Sequence, residues 1–396
     1  MSAPAPPTIV SLTPLPLDRD SRTFRIASAF ARFGWRSVVV ENLASASAAP
    51  GVTTLTLGGS RLRGNGRAAR RGNGIGHFLA FVAAYFVARP LEVALRVPRA
   101  DLYYLHEYRL YPAVALARLL RPAPLIYDAH DFYPESESEA SRGRFWRRLF
   151  KPLLGWMERR CIAAADAVVT VSDGVARLIE SHYGVRPRVL PNLHDSRLDE
   201  AVERDIRRVL ELTDDDFLAV SVGNAKQDQP LEPLAQAVAR LPARVHVAFV
   251  GRGYDGLGLI ARRFGAAGRL HAAGAIEPWR IVPFIATADA ALLLYLPNTR
   301  NFENAFPNKV FQYLAAGLPV FYSALPEVAR TIGTSGAGVA IDPGDAECIR
   351  AALLALTDDA ERATRMAAAA AELSSRFRWQ DLERDLKALA ESLMRH

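Results

Sequence analysis

The chain has 396 residues, 50% of them apolar and 23% charged, with a formal net charge of +7. That length fits two domains of about 100–200 residues, each with room for its own core. The composition excludes disordered, collagen-like and small disulfide-stapled chains. The charge is unevenly placed: residues 1–192 hold 26 Lys+Arg against 15 Asp+Glu and residues 193–396 hold 23 against 27, so the halves carry +11 and −4. Only four of the 49 basic residues are lysines, at 151, 226, 309 and 387, so the chain uses Arg as its ordinary cation and each retained Lys stands out. Cys161 and Cys348 form no CxxC pair and no metal-ligand spacing, which suits a reducing cytoplasm. The opening MSAPAPPTIVSL lacks a cationic stretch followed by an apolar one, so secretion is not indicated.

In chain order, apolar β-rich runs alternate with amphipathic helical stretches, the pattern of parallel sheets covered by helices. Strands are predicted at 8–13, 36–41, 101–106, 124–128 and 167–172, and helices at 23–33, 76–97, 112–120, 143–164 and 174–183. The stretch 75–97 is the best membrane-span candidate, but its uninterrupted apolar part, Phe78 to Ala88, is 11 residues, where a span needs about 20. Pro191-Asn192 and the charged residues that follow it read as a linker. The rhythm then restarts, with strands predicted at 217–222, 245–250, 290–294 and 320–322. Two doubly wound domains facing across a cleft are the economical architecture, with ligands at the carboxyl ends of the strands. A last helix, 379–394, is expected to pack back on the first domain.

The stretch from Asn301 to Ser323 reads NFENAFPNKVFQYLAAGLPVFYS. Pro307 suits the first turn of a helix, Lys309 lies near its start, and Gly317-Leu318-Pro319 ends it before a buried strand. A helix N-terminus carrying a Lys suits a phosphate, and Gln312, three residues on, shares the face of Lys309. The same residues also suit a capped helix that simply packs through Val310, Phe311, Tyr313 and Leu314.

This stretch resembles the donor-site segment of the GT-B glycosyltransferases of family 4, where P-x-K-x-x-E-Y-x-A-x-G-x-P-V is usual. Further segments match in order: DSRTFRIASAFARFGWRSVVVE from Asp20, DLYYLHEYRLYPAVALARLLRPAPLIYDAHDFYPE from Asp101, ADAVVTVSDGVARLIESHYGVRPRVLPNLHD from Ala165, VAFVGRGY from Val247 and ADAALLLYLP from Ala288. The resemblance implies the GT-B fold, with two Rossmann-like domains: 1–192 for the acceptor, 193–376 for the nucleotide sugar, and 377–396 as the returning helix. It implies a retaining transfer from a UDP- or GDP-sugar to a saccharide or polyprenyl-diphosphate-linked acceptor, without a metal or other cofactor. Such an enzyme would serve surface-polysaccharide assembly on the inner face of the cell membrane. A nucleotide-sugar epimerase of the same fold, or a divergent non-catalytic binder, are the rival readings.

Two departures stand out, because the family's two Glu residues, eight positions apart, are here Asn304 and Gln312. Gln312 keeps a hydrogen bond to ribose without the charge, and Glu303 is displaced from the first place by one residue. The loop Gly223–Pro230 lacks the family's Arg, which leaves Lys226 to join Lys309 on the diphosphate, with the 273–276 turn, ending at Ile276, for the base. His130 matches the family's cleft histidine at the reaction centre, with Lys309 as the second catalytic group. His106, Asp131, Asp20 and Arg22 are the acceptor-side candidates, and Glu107 and Glu135 lie beside them.

Two basic stretches account for the charge of the first half. RLRGNGRAARR at 61–71 precedes the apolar helix, and RGRFWRRLFKPLLGWMERR at 142–160 interleaves Arg with aromatics. Cations beside aromatics suit an anionic membrane surface, although a core helix with solvated arginines has the same composition. Nucleic acid is not expected, since no recognition motif accompanies the charge.

Overall fold

The computed structural model describes residues 5–47, 49–57, 75–135, 146–226, 229–296, 300–304 and 306–395. The basic stretch at 61–71 and the start of the one at 142–160 lie outside them. The chain divides into two compact units, Met1–Pro191 with Gln380–His396 and Asn192–Trp379.

The first unit is built on a parallel sheet of seven strands: β1 (Thr8–Thr13), β2 (Arg36–Glu41), β3 (Val52–Thr56), β4 (Leu102–Leu105), β5 (Leu125–Asp128), β6 (Ala167–Thr170) and β7 (Arg188–Val189). Their spatial order is β3-β2-β1-β4-β5-β6-β7. The central strands are buried along their length, so both faces need apolar cover and helices supply it. Because β1 pairs with β2 on one side and β4 on the other, the chain reverses direction of travel between β1 and β4. That switch point opens a crevice at the carboxyl ends of the strands.

The second unit repeats the plan with six strands, β8 (Phe217–Val222), β9 (Val245–Val250), β10 (Leu270–Gly274), β11 (Ala290–Leu293), β12 (Val320–Ser323) and β13 (Gly338–Ile341). Their order is β10-β9-β8-β11-β12-β13, which places its switch point between β8 and β11. Its core joins Phe217, Val247, Phe249 and Phe321 of the sheet to Leu234, Leu257, Ile349 and Leu353 of the covering helices.

Five strands begin or end one or two residues inside the predicted bounds or, at 320–323, one beyond. The strands β3, β7, β10 and β13 were not foreseen; they are short, and Thr, Arg, His or Gly interrupt their apolar pattern. The helix predicted at 76–97 runs from Ile75 to Arg96 with a π-helical turn at Ala84–Ala88.

The last helix, Trp379–Met394, belongs with the first unit from Gln380 onward. Arg32 Nε lies 2.9 Å from Glu383 Oε1, Lys387 Nζ sits 5.3 Å from the centre of the Phe33 ring, and Leu386 and Ala390 are fully buried. A buried Leu cut back to Ala loses about 2–5 kcal/mol. Leu386→Ala is therefore expected to lower the melting temperature clearly in a thermal denaturation scan, whereas truncating the exposed Arg384 to Ala leaves it nearly unchanged.

Candidate functional site

The groups that carry chemistry collect at the two switch points. In the first unit the centre is Asp128, the last residue of β5, a fully buried carboxylate. Arg22 Nε donates to its Oδ2 at 2.7 Å and the Tyr104 hydroxyl to the same oxygen at 3.0 Å, while a second Arg22 nitrogen donates to the carbonyl of Leu190 at 3.0 Å. Burial opposes ionisation of Asp128, but the charge and hydrogen bond of Arg22, together with the nearby His106 and His130, outweigh it and hold the carboxyl below its ordinary value. Asp20 N-caps the helix Ser21–Arg32, accepting from the Thr23 amide at 3.1 Å and from the hydroxyls of Thr23 and Thr13 at 2.6 and 2.9 Å. Although Asp20 and Arg22 are two residues apart, each has its own internal partners.

His106 follows β4 and is 2% exposed, with Nδ1 3.6 Å from Asp128 Oδ2. Neither ring nitrogen makes a hydrogen bond among the described residues. Burial brings its pKa down to about 4 against the pull of Asp128, so it is neutral at physiological pH and offers one donor and one acceptor. His130, two residues past β5, has Nε2 3.2 Å from the Tyr133 hydroxyl, and its Nδ1 is bonded to no described residue. Asp131 and Glu135 are partly exposed beside it, and Glu107 is buried and accepts from Arg109 at 2.7 Å. Five candidates, Asp20, Arg22, His106, His130 and Asp131, thus share the carboxyl edge of β1, β4 and β5.

In the second unit, Gly223 ends β8 with φ +119°, and the Lys309 side chain lies directly over it. A Cβ at Gly223 would stand 2.3 Å from Lys309 Cε, so a larger residue displaces the end of this lysine from its present place, and the φ of +119° itself favours glycine. Lys309 is the second residue of the helix Asn308–Ala315, and its Nζ donates to the Tyr295 hydroxyl at 2.5 Å. The Tyr295 ring is shared, with Lys309 Nζ 5.1 Å and Lys226 Nζ 5.9 Å from its centre. Tyr313 locks the helix to the switch point, its hydroxyl accepting from the Val222 amide at 2.8 Å and reaching the Leu292 carbonyl at 3.3 Å. Gln312 is 2% exposed, and its Nε2 makes no hydrogen bond among the described residues.

The remaining candidates are less closely joined. Asn304 ends the short helix Arg300–Asn304 and its amide donates to the carbonyl of Arg300 at 2.8 Å. Ile276 lies two residues past Gly274, whose φ of +80° turns the chain after β10. The loops after β8 and β9 are zipped together by Arg252 N to Asn224 Oδ1 at 3.0 Å and Ala225 N to the Arg252 carbonyl at 2.8 Å.

Sequence reasoning passed over Asp128 and Tyr295. Both are polar residues at or just beyond the end of a buried apolar strand. That placement is the available signal, since a parallel strand hides its length and exposes only its end.

The family described as Glycosyltransferase Family 4 matches residues 21–197, and the family described as Glycosyl transferases group 1 matches residues 216–359. The chain is a glycosyltransferase of the GT-B fold, with these two domains in this order. Among solved structures it is similar to a sucrose-phosphate synthase from Thermosynechococcus elongatus, at 16% identity and TM-score 0.72, covering 98% of this chain and 99% of that one. It is also similar to Anabaena HepE in complex with UDP and glucose, at 15% identity and TM-score 0.70, covering 98% and 100%. A third is WaaG, a glycosyltransferase involved in lipopolysaccharide biosynthesis, at 18% identity and TM-score 0.68, covering 97% and 99%. No curated protein matches by sequence.

Gly223→Ala tests the close approach. The added methyl collides with Lys309 and strains the backbone by about 1–2 kcal/mol, so nucleotide-sugar affinity is expected to fall about tenfold or more in calorimetric titration while the fold persists.

Glu158 is another buried acid in the first unit, 1% exposed, with Oε2 accepting from the Tyr183 hydroxyl at 2.6 Å. Burial pushes its pKa up to about 8 against the Tyr183 hydrogen bond, helped by the Glu107 charge. Between the ordinary carboxyl value and pH 8 the folded state keeps a proton that the unfolded chain releases, so this group makes stability fall as pH rises across that window. Glu158→Gln removes the effect. The variant should melt above the parent at pH 8.5 by about 1 kcal/mol or more of stability, with the difference vanishing near pH 4.5.

Proposed function

We propose that the enzyme is a retaining glycosyltransferase that takes a sugar from a UDP- or GDP-sugar and passes it to a saccharide or polyprenyl-diphosphate-linked acceptor in surface-polysaccharide assembly. The observation that carries the reading is the pair of lysines at the second unit's switch point, Lys309 over Gly223 and Lys226 within 5.9 Å of the centre of the same Tyr295 ring. Two cations beside a helix N-terminus suit a diphosphate. HepE, a structural neighbour, is complexed with UDP and glucose, which supports a nucleotide donor of this kind.

In this reading the bond between the anomeric carbon and the diphosphate oxygen breaks, its electron pair leaving with the nucleoside diphosphate. The acceptor oxygen bonds to the anomeric carbon on the same face and gives its proton to the departing phosphate. Lys309 and Lys226 stabilise the charge that develops there, and no metal is required. Gln312 serves the ribose, the Gly274–Ile276 backbone the base, and Gly223 and Asn304 border the donor. His130 contacts the transferred sugar, and His106 and Asp131 serve the acceptor, with Asp20 and Arg22 holding that edge in shape. The enzyme works peripherally at the inner, anionic face of the cell membrane.

A thermal-shift screen against UDP- and GDP-sugars tests the donor, because a ligand that binds the native state raises its melting temperature. At least one is expected to raise it, and Lys309→Ala is expected to lose about 10²–10³-fold in transfer. No shift with any nucleotide sugar would sink the reading, and turnover of the donor sugar into an epimer without acceptor would replace it.

A further inference from the structure

We infer that the first unit docks on an anionic phospholipid bilayer through the helix Ile75–Arg96 and the helical segment 146–164 packed beside it, with both lying in the membrane plane rather than crossing it. This names the surface and its mode of insertion, and of the reading above it rests only on membrane association, not on the glycosyl transfer.

The helix Ile75–Arg96 is 22 residues long, with a mean hydropathy of 1.7 over its most apolar window, and 11% of that window is buried. A core helix hides its apolar stripe, whereas this one displays it. Ile75, Leu79, Val87, Leu91 and Leu95 lie at multiples of four along it, each more than half exposed, and Leu95 is 83% exposed. So many large apolar side chains exposed along one helix mark an interaction site.

Its length and attachments exclude a span. The last turns, Arg89–Arg96, are tied to the unit by buried Pro90 and Val93, and the chain enters β4 at Leu102. Only Ile75–Ala88 is then left to enter a bilayer, about 21 Å of helix at about 1.5 Å per residue against a hydrocarbon core of about 30 Å.

The second segment widens the face. The Phe150 ring packs on Phe78 and Phe81 at 5.1 and 5.5 Å, and Phe86 stacks on Trp156 at 6.3 Å, leaving Trp156 50% exposed. Among the described residues, five arginines on or next to these two segments are exposed, Arg99, Arg147, Arg148, Arg159 and Arg160. Of the two acids of the pair, Glu92 is taken up by Arg96 and Glu158 is buried facing Tyr183, so neither opposes those five arginines.

The charge selects the occupant. A second copy of the chain set against this face would bring like charges together. An anionic headgroup layer meets the cations while acyl chains receive the leucines, and Trp156 and Tyr85, the latter with Arg89 3.8 Å over its ring, sit at the boundary.

The test uses the full chain and sucrose-loaded vesicles of phosphatidylcholine alone or mixed equally with phosphatidylglycerol. Sedimentation with the mixed vesicles is expected to exceed that with phosphatidylcholine alone roughly tenfold and to fall with salt. Leu79→Gln, Leu91→Gln and Leu95→Gln combined should weaken it by roughly tenfold or more without changing the donor-induced thermal shift, since these side chains are exposed and far in sequence from the lysines. Arg147→Glu with Arg148→Glu should do the same. Absence of sedimentation with mixed vesicles overturns the inference, as does full binding by the leucine variant or a dimer in solution that the leucine variant dissociates. Resistance of the bound protein to alkaline carbonate extraction overturns the in-plane mode. The donor-induced shift, read without vesicles, reports separately on the glycosyl transfer.

Discussion

A carboxylate closed off from water takes up a proton unless an opposite charge is held against it. Asp128 is in that position at the end of β5, and Arg22, brought from the first turn of the helix after β1, is its counterion at 2.7 Å. The same arginine reaches the Leu190 carbonyl, while the same carboxylate oxygen takes the Tyr104 hydroxyl and lies near His106. One ion pair therefore fixes the ends of β4 and β5, the entry to the first helix and the chain beyond β7. Removing either partner would strand a buried charge, at a cost of about 3–5 kcal/mol. The arrangement also sets the character of His106, which remains a neutral hydrogen-bonding group beside a charge already neutralised.

The second unit meets the same topological opportunity with different chemistry. At its switch point the cation is a lysine donating to a tyrosine hydroxyl, and a second lysine approaches the ring of that tyrosine. A neutral hydroxyl orients an ammonium group without cancelling its charge, whereas a carboxylate does both. Arg22 is thus paired with a carboxylate and Lys309 with a neutral hydroxyl, although both stand at the carboxyl end of a central parallel strand. Backbone geometry assists the second case, since Gly223, with no side chain, leaves the end of the lysine its present place.

These distinctions explain how much could be read beforehand. The alternation of strands and helices, the two-unit plan and the helix Asn308–Ala315 were legible, since long buried runs and the Pro307 and Gly317 boundaries are local signals. Four short strands were not, because Thr, Arg, His and Gly within them break the apolar pattern that marks a strand. Motif resemblance singled out Lys309, Gly223 and His130, and the structure sets Lys309 over Gly223 at one switch point and His130 just past β5. Asp128 and Tyr295 were missed because their meaning lies in partners 106 and 14 residues away in sequence. Arg22 lies two residues from Asp20, yet its carboxylate partner is a strand end 106 residues away.

The net charge of the first half is likewise a mixture of unlike terms. Arg22 is buried on Asp128, and Arg118 is held by the carbonyls of Ala123 and Ala164 and by Asp166. Such arginines are fastened internally, and their charge is partly cancelled before it reaches solvent. The exposed arginines of segment 146–164 differ, because the acid on that segment, Glu158, is turned inward and held protonated at neutral pH by burial. An amphipathic helix whose single acid is hidden presents more positive charge outward than its composition suggests. Burial of one carboxyl group thereby sharpens the basic face, and the field that an anionic surface would meet is set by side-chain orientation more than by the count of charges.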